Sequence, residues 1–152
     1  MFLSAEIAKR MNVHVRSSAQ LFVLARDQAF FKVQFFGGDS AGDLGRMKTK
    51  EILYFPEKKA LPFNHTLTKS LRDGTSNVFA LKRHADSSVC PVTAVEVCLC
   101  NLLKISIRQE FLFRPLNPSG EILPAPFESA AAQARLSTYV RQIPAFAKRN
   151  VT

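Results

Sequence analysis

Residues 18–38 read SAQLFVLARDQAFFKVQFFGG, and no other stretch constrains the fold as much. Apolar side chains at Leu21, Leu24, Ala25, Phe31, Val33, Phe35 and Phe36 recur at helical spacing but wrap more than one face of the cylinder. A helix that is apolar on most sides belongs at the centre of a domain, with other elements packed around it. Gly37-Gly38 stops it, because glycine enters the left-handed conformation that ends helices without a Cβ penalty. The pattern predicts a central helix from Ser17 or Ser18 to this glycine pair. A turn and a short helix follow, capped by Asp39 or Ser40.

Around that helix the chain changes character twice. Upstream, Ser4 caps a short helical stretch to about Met11. From Glu51 onward the pattern becomes strand-like. Ile52, Tyr54 and Phe55 precede Pro56, a second run spans Leu61 to Leu71, and Asn77 to Lys82 forms a third. Asp73-Gly74 between the last two is a hairpin dipeptide. Three short antiparallel strands are therefore expected here. Pro91 suits the first position of a helix running to about Ile105, with Val92, Val95, Leu99, Leu102 and Leu103 inward. Phe111-Leu-Phe is a short extended piece and Asn117-Pro-Ser-Gly a turn. Pro126 opens a last helix that Pro144 stops, its alanines packing closely on one side. The expected fold class is mainly α with a small antiparallel β-sheet (α+β). One domain covers residues 1–143, and 144–152 form a loose tail.

With 47% apolar and 22% charged residues, the chain has the composition of a folded domain rather than a disordered one. Its 152 residues suffice to bury about 70% of the unfolded surface. Thirteen Phe and no Trp predict a core built on phenylalanine. No apolar run nears the ~20 residues that span a bilayer, and residues 1–15 never build a signal-peptide core. An intracellular protein without membrane contact is expected. Cys90, Cys98 and Cys100 are odd in number and lack C-x-x-C spacing, so they make neither a disulfide framework nor a zinc site. Buried, reduced thiols are the expectation, and no metal or cofactor is called for.

The net charge of +9 is concentrated. Residues 46–83 hold nine Lys/Arg against three Asp/Glu, a net of +6 in a quarter of the chain. Arg46, Lys48, Lys50, Lys58, Lys59, Lys69, Arg72, Lys82 and Arg83 form the natural polyanion-facing surface. The competing explanation is a strand edge protected by lysines.

The succession of a buried helix, the turn Gly38-Asp-Ser-Ala-Gly-Asp-Leu, a small sheet and further helices resembles the first two thirds of a tyrosine recombinase catalytic domain. The likeness is to the recombinases of eukaryotic mobile elements of the DIRS and Crypton kind. Asp43 and Leu44 match the acidic-Leu pair of the family's G-x-R-x-S-[DE]-L turn. Ser40 falls where the family places its first catalytic arginine, which grips the scissile phosphate. A hydroxyl does not replace a bidentate guanidinium. Arg46, six residues on, lies about 240° around a helix from that position. Lys69 matches the family's hairpin lysine, a general acid toward the leaving 5′ oxygen. SVCPVTAVEVCLC matches the helix after the sheet, and the stretch from Phe111 to Ile143 matches the segment before the His-x-x-Arg box. That box and the nucleophilic tyrosine do not follow; Tyr54 and Tyr139 are the only tyrosines, and Tyr139 reads as core.

The resemblance implies a truncated recombinase core that binds duplex DNA but does not cleave it by itself, acting in DNA recombination and integration in the nucleus. Its phosphate contacts would be Arg46, Lys48, Lys50, Lys69, Arg72, Lys82 and Arg83. Phe55, Phe63 and Phe79 in the same region read as core rather than stacking platforms. A second expectation is a protein-interaction module, pairing with copies of itself or with a recombinase partner chain.

Overall fold

The computed structural model describes residues 18–38, 40–53, 60–65, 77–105 and 110–145. Its centre is α1 (Ser18–Gly37), the helix expected from the apolar pattern. Phe22, Ala25, Ala29, Phe30 and Val33 are buried, and so are three charged residues of the same helix, Arg26, Asp27 and Lys32. Gly38 ends the helix at φ +70°, its amide donating to the Gln34 carbonyl at 3.0 Å. Burial is not uniform along α1. Leu21, Phe35 and Phe36 are exposed, Phe35 by 52%, although Phe22 beside the first of them is fully buried.

Beyond Gly38 the chain forms a one-turn helix α2 (Ala41–Leu44) and a single 3₁₀ turn at Thr49–Glu51. Two strands follow, β1 (Ala60–His65) and β2 (Asn77–Lys82), paired antiparallel from Ala60 opposite Lys82 to His65 opposite Asn77. Period-two alternation turns Leu61, Phe63 and Leu81 into the core and leaves Val78, Ala80 and Lys82 exposed. Phe63 and Phe79 stack across the pair with ring centroids 5.1 Å apart. The expected third strand is reduced, among the described residues, to one bridge between Ile52 and Phe63. Glu51, expected to start that strand, instead closes the 3₁₀ turn, its carboxylate accepting the Lys48 amide at 2.7 Å. The Asp73-Gly74 turn, residues 66–71, the helix after Ser4 and most of the tail lie outside the described residues.

The helix α3 (Pro91–Ile105) begins at the expected proline and packs along α1. Val92, Val95, Cys98 and Leu102 are buried, but Leu103 is 60% exposed, contrary to expectation. It sits in the last turn, where neighbouring Leu102 takes the inward position. Cys90 and Cys98 are buried thiols, whereas Cys100 is exposed; all three are free.

The last helix, α4 (Ser129–Arg141), starts three residues later than Pro126 suggests. The cause is Phe127, whose amide donates to the Gly45 carbonyl at 3.2 Å and whose ring is buried. Gly45 is needed for that approach: a Cβ there would lie 1.9 Å from the Phe127 carbonyl oxygen. Of the α4 alanines only Ala132 is fully buried. The core is phenylalanine-rich as expected. Phe30 meets Phe31, Phe113 and Phe127 edge to face, with centroids 5.2 to 5.4 Å apart. Such pairs each add about 0.5–1.5 kcal/mol beyond the area they bury.

Candidate functional site

The segment from Ser40 to Ile52 carries Ser40, Asp43, Leu44, Arg46, Lys48 and Lys50 of the residues the resemblance singles out, and its backbone is fixed from the far side of the sequence. Leu112 donates its amide to the Met47 carbonyl at 2.9 Å, and Thr49 donates to the Glu110 carbonyl at 3.1 Å. Together with the Gly45–Phe127 bond, these hold the segment onto residues 110–127. Leu44 and Met47 anchor it from beneath, both fully buried.

Ser40 is the N-cap of α2. Its oxygen accepts the Asp43 amide at 3.3 Å, and its hydroxyl donates to the Asp43 carboxylate at 2.8 Å. The side chain is thus committed to a nearly buried acid and brings no positive charge. Arg46 and Lys50 are exposed; Lys48 is half-buried with its Nζ 3.7 Å from the Glu110 carboxylate. On β2, Lys82 stands on the exposed face of the sheet. Arg83, just beyond, is engaged differently. Its two terminal nitrogens reach the Glu96 carboxylate at 2.5 and 3.2 Å, and one also reaches the Thr93 hydroxyl at 3.3 Å.

The small sheet meets these cations at two places. Lys82 pairs with Ala60 at one end of the strands. Ile52, just after the turn carrying Lys48 and Lys50, bridges Phe63 in the middle of β1, and Lys48 itself bridges Phe111. Lys69 and Arg72, the remaining expected contacts, lie outside the described residues, as does Tyr54. Phe63 is fully buried and Phe79 partly, so neither offers a face for stacking a base.

A second charged cluster escaped the sequence reading. Asp27, fully buried on α1, accepts hydrogen bonds from Arg26 Nε and Nη2 at 2.9 and 2.6 Å, from Arg135 Nε at 2.8 Å and from the Tyr139 hydroxyl at 2.7 Å. Arg26 also donates to the Arg114 carbonyl at 2.9 Å and lies 4.0 Å above the Phe127 ring. Arg135 donates to the Tyr139 oxygen at 2.6 Å. Burial, and then the Asp27 carboxylate, raise the Tyr139 phenol far above the ordinary tyrosine range. Burial opposes the Arg135 charge, but Asp27 and Tyr139 together outweigh it and raise that pKa as well. The sequence hint was an Arg-Asp pair inside a largely apolar helix. Such a pair demands partners without naming them. Tyr139, expected in the core, is there, and its hydroxyl is a structural donor.

Among the described residues no helix is long and apolar enough to cross a membrane, and no group of His, Cys, Asp and Glu could hold a metal ion. No protein-family model and no curated protein matches the chain. Solved structures do. The XerH site-specific recombinase in a post-cleavage complex with palindromic difH substrate aligns over 97% of this chain and 35% of its own, at 18% identity and a TM-score of 0.55. The same recombinase in a pre-cleavage complex with difH substrate gives 18% identity and a TM-score of 0.55 over 97% and 36%. The chain therefore spans about a third of the length of these recombinase chains. At this identity the likeness is one of architecture: the chain has a tyrosine-recombinase-like fold.

Proposed function

We propose that this chain is a DNA-binding recombinase core, of the eukaryotic DIRS or Crypton mobile-element kind, that has lost the ability to cleave DNA by itself. It would act in the nucleus. The observation that carries this reading is the fold likeness over nearly the whole chain, joined to a basic segment whose Arg46 and Lys50 face solvent. Lys48, Lys82 and Arg83, with Lys69 and Arg72, complete the proposed phosphate contacts. Such contacts set position without reading sequence.

The loss of cleavage follows from Ser40. Phosphoryl transfer needs concentrated positive charge around the phosphate. At this position the chain supplies a hydroxyl already donated to Asp43. Tyr139 offers no nucleophile either, since its oxygen is held between Asp27 and Arg135. The exposed Phe35 and Phe36 favour a second reading, an apolar surface for another protein chain.

Salt separates the two readings. If about four phosphates are neutralised, DNA affinity falls with a log–log slope near −3.6, roughly 150-fold between 50 and 200 mM salt. A fluorescence titration that shows little salt response would support the protein-interaction reading instead. Incubation with a suicide DNA substrate should trap no covalent adduct; an adduct that depended on Tyr54 or Tyr139 would overturn the inactive-core reading.

A further inference from the structure

Between α1 and the start of α3 lies a cleft of about 240 Å³, lined among others by Gln28, Lys32, Ser87, Thr93 and Val97. Lys32 is only 3% exposed. Its Nζ donates to the Gln28 side-chain oxygen at 3.1 Å, and among the described residues no carboxylate lies within ion-pair distance of it. The other buried cations are differently placed. Arg26 is paired with Asp27, and Arg114 donates to the Leu123 carbonyl at 2.7 Å.

A buried ammonium without a countercharge is costly, and proteins resolve it by neutralising the group or pairing it. Burial does lower the Lys32 pKa, while Cys90 and Asp86 act in the opposite sense. Neither of those two supplies the missing partner. The Asp86 carboxylate accepts the Ser88 amide and hydroxyl at 2.9 and 2.7 Å, out in solvent. The Cys90 sulfur accepts the amides of His84 and Thr93 at 3.3 and 3.4 Å. Lys32 keeps donor capacity beyond its single bond to Gln28, since an ammonium carries three N–H groups. The exposed Ser87 adds a hydroxyl at the mouth of the cleft.

We propose that this cleft is a binding site for a small tetrahedral oxyanion of the phosphate kind, free or at the end of a monoester, with Lys32 as its countercharge. The 3% exposure of Lys32 favours a small free anion or monoester over a phosphate within a duplex backbone.

Titrating the full chain with inorganic phosphate at constant ionic strength, followed by calorimetry, tests the proposal. Saturable binding of one phosphate is expected, weakened about tenfold or more by Lys32→Met. Ser87→Ala changes an exposed residue and leaves the fold intact, so it serves if the lysine variant does not fold; a loss of about threefold is expected. Failure to saturate would overturn the proposal, as would equal phosphate responses in the parent chain and both variants, the signature of general salt exclusion. Adding a short DNA duplex distinguishes the source of the phosphate. Undiminished phosphate binding supports the free-anion site, and displacement by the duplex would sink it.

Discussion

The centre of this protein and its basic surface use the same residue types for opposite ends. At the centre, Arg26 and Arg135 converge on one fully buried carboxylate, and Tyr139 closes the remaining acceptor position. On the surface, Arg46 and Lys50 stand in solvent, and Lys82 decorates the outer face of a two-stranded sheet. Burial makes Asp27 and Arg26 indispensable to each other, because removing one leaves the other unpaired in a poor solvent for charge. Arg135, by contrast, keeps about a third of its side chain in solvent. Exposure makes the outer charges individually dispensable and collectively available to a polyanion. Arg83 stands between the two cases: it is exposed, yet its guanidinium is taken by Glu96.

The sharpest way to break this contrast is Asp27→Ala. It should cost about 3–5 kcal/mol in urea unfolding, because Arg26 is left buried beside no carboxylate. A cost below about 1 kcal/mol would mean that the cluster is not coupled as its geometry indicates. Next in size, replacing Arg46, Lys48, Lys50 and Lys82 together by Ala should leave stability nearly unchanged. It should abolish most of the roughly 150-fold salt response of DNA binding. Loss of folding in that variant would place these residues with the inner set.

A smaller effect concerns pH. The raised Tyr139 pKa means that the neutral phenol stabilises the fold. This contribution is full below the ordinary tyrosine pKa near 10 and is lost as pH rises through the raised folded-state value. The buried Cys98 thiol, pushed up to about 12, adds a decline of the same sign from its ordinary value near 9. Tyr139→Phe should cost about 1 kcal/mol at neutral pH and make the alkaline decline shallower. An identical decline in the variant would assign it to other groups. Least of all, Lys50→Ala should reduce the salt slope by about 0.9, or roughly 3.5-fold over the same salt range. Arg83→Ala, already neutralised by Glu96, should change it less. The reverse order would show that the Glu96 pair opens on binding.

The sequence revealed those parts of the fold that local pattern governs. The apolar periodicity and glycine pair of α1, the proline that starts α3 and the alternation of β2 are written within each segment. The Asn117 turn is local too; its side-chain oxygen accepts the Glu121 amide at 2.9 Å, and Gly120 takes φ +86°. What escaped depends on distant partners. Arg135 and Tyr139 meet Asp27 across 108 and 112 positions, and no spacing rule links them. Phe127 delays α4 because its amide is bonded to the Gly45 carbonyl, a contact between segments that look unrelated in sequence. For the candidate site, the sequence offered Asp39 or Ser40 as the cap of α2, and Ser40 is the cap. The engagement of Arg83 was hidden, since Glu96 lies on the next helix.

The span between Asp27 and Tyr139 also sets a timetable. Translation at about 5–20 residues per second puts 112 positions roughly 6–22 s apart. Until α4 has been made, a nascent chain carries Arg26 and Asp27 on its central helix without their distant partners. During that interval the central helix has every reason to remain hydrated or to associate with whatever else can cover it. Its exposure to chaperones and to neighbouring nascent chains is therefore fixed by where in the message the partners of one carboxylate are encoded.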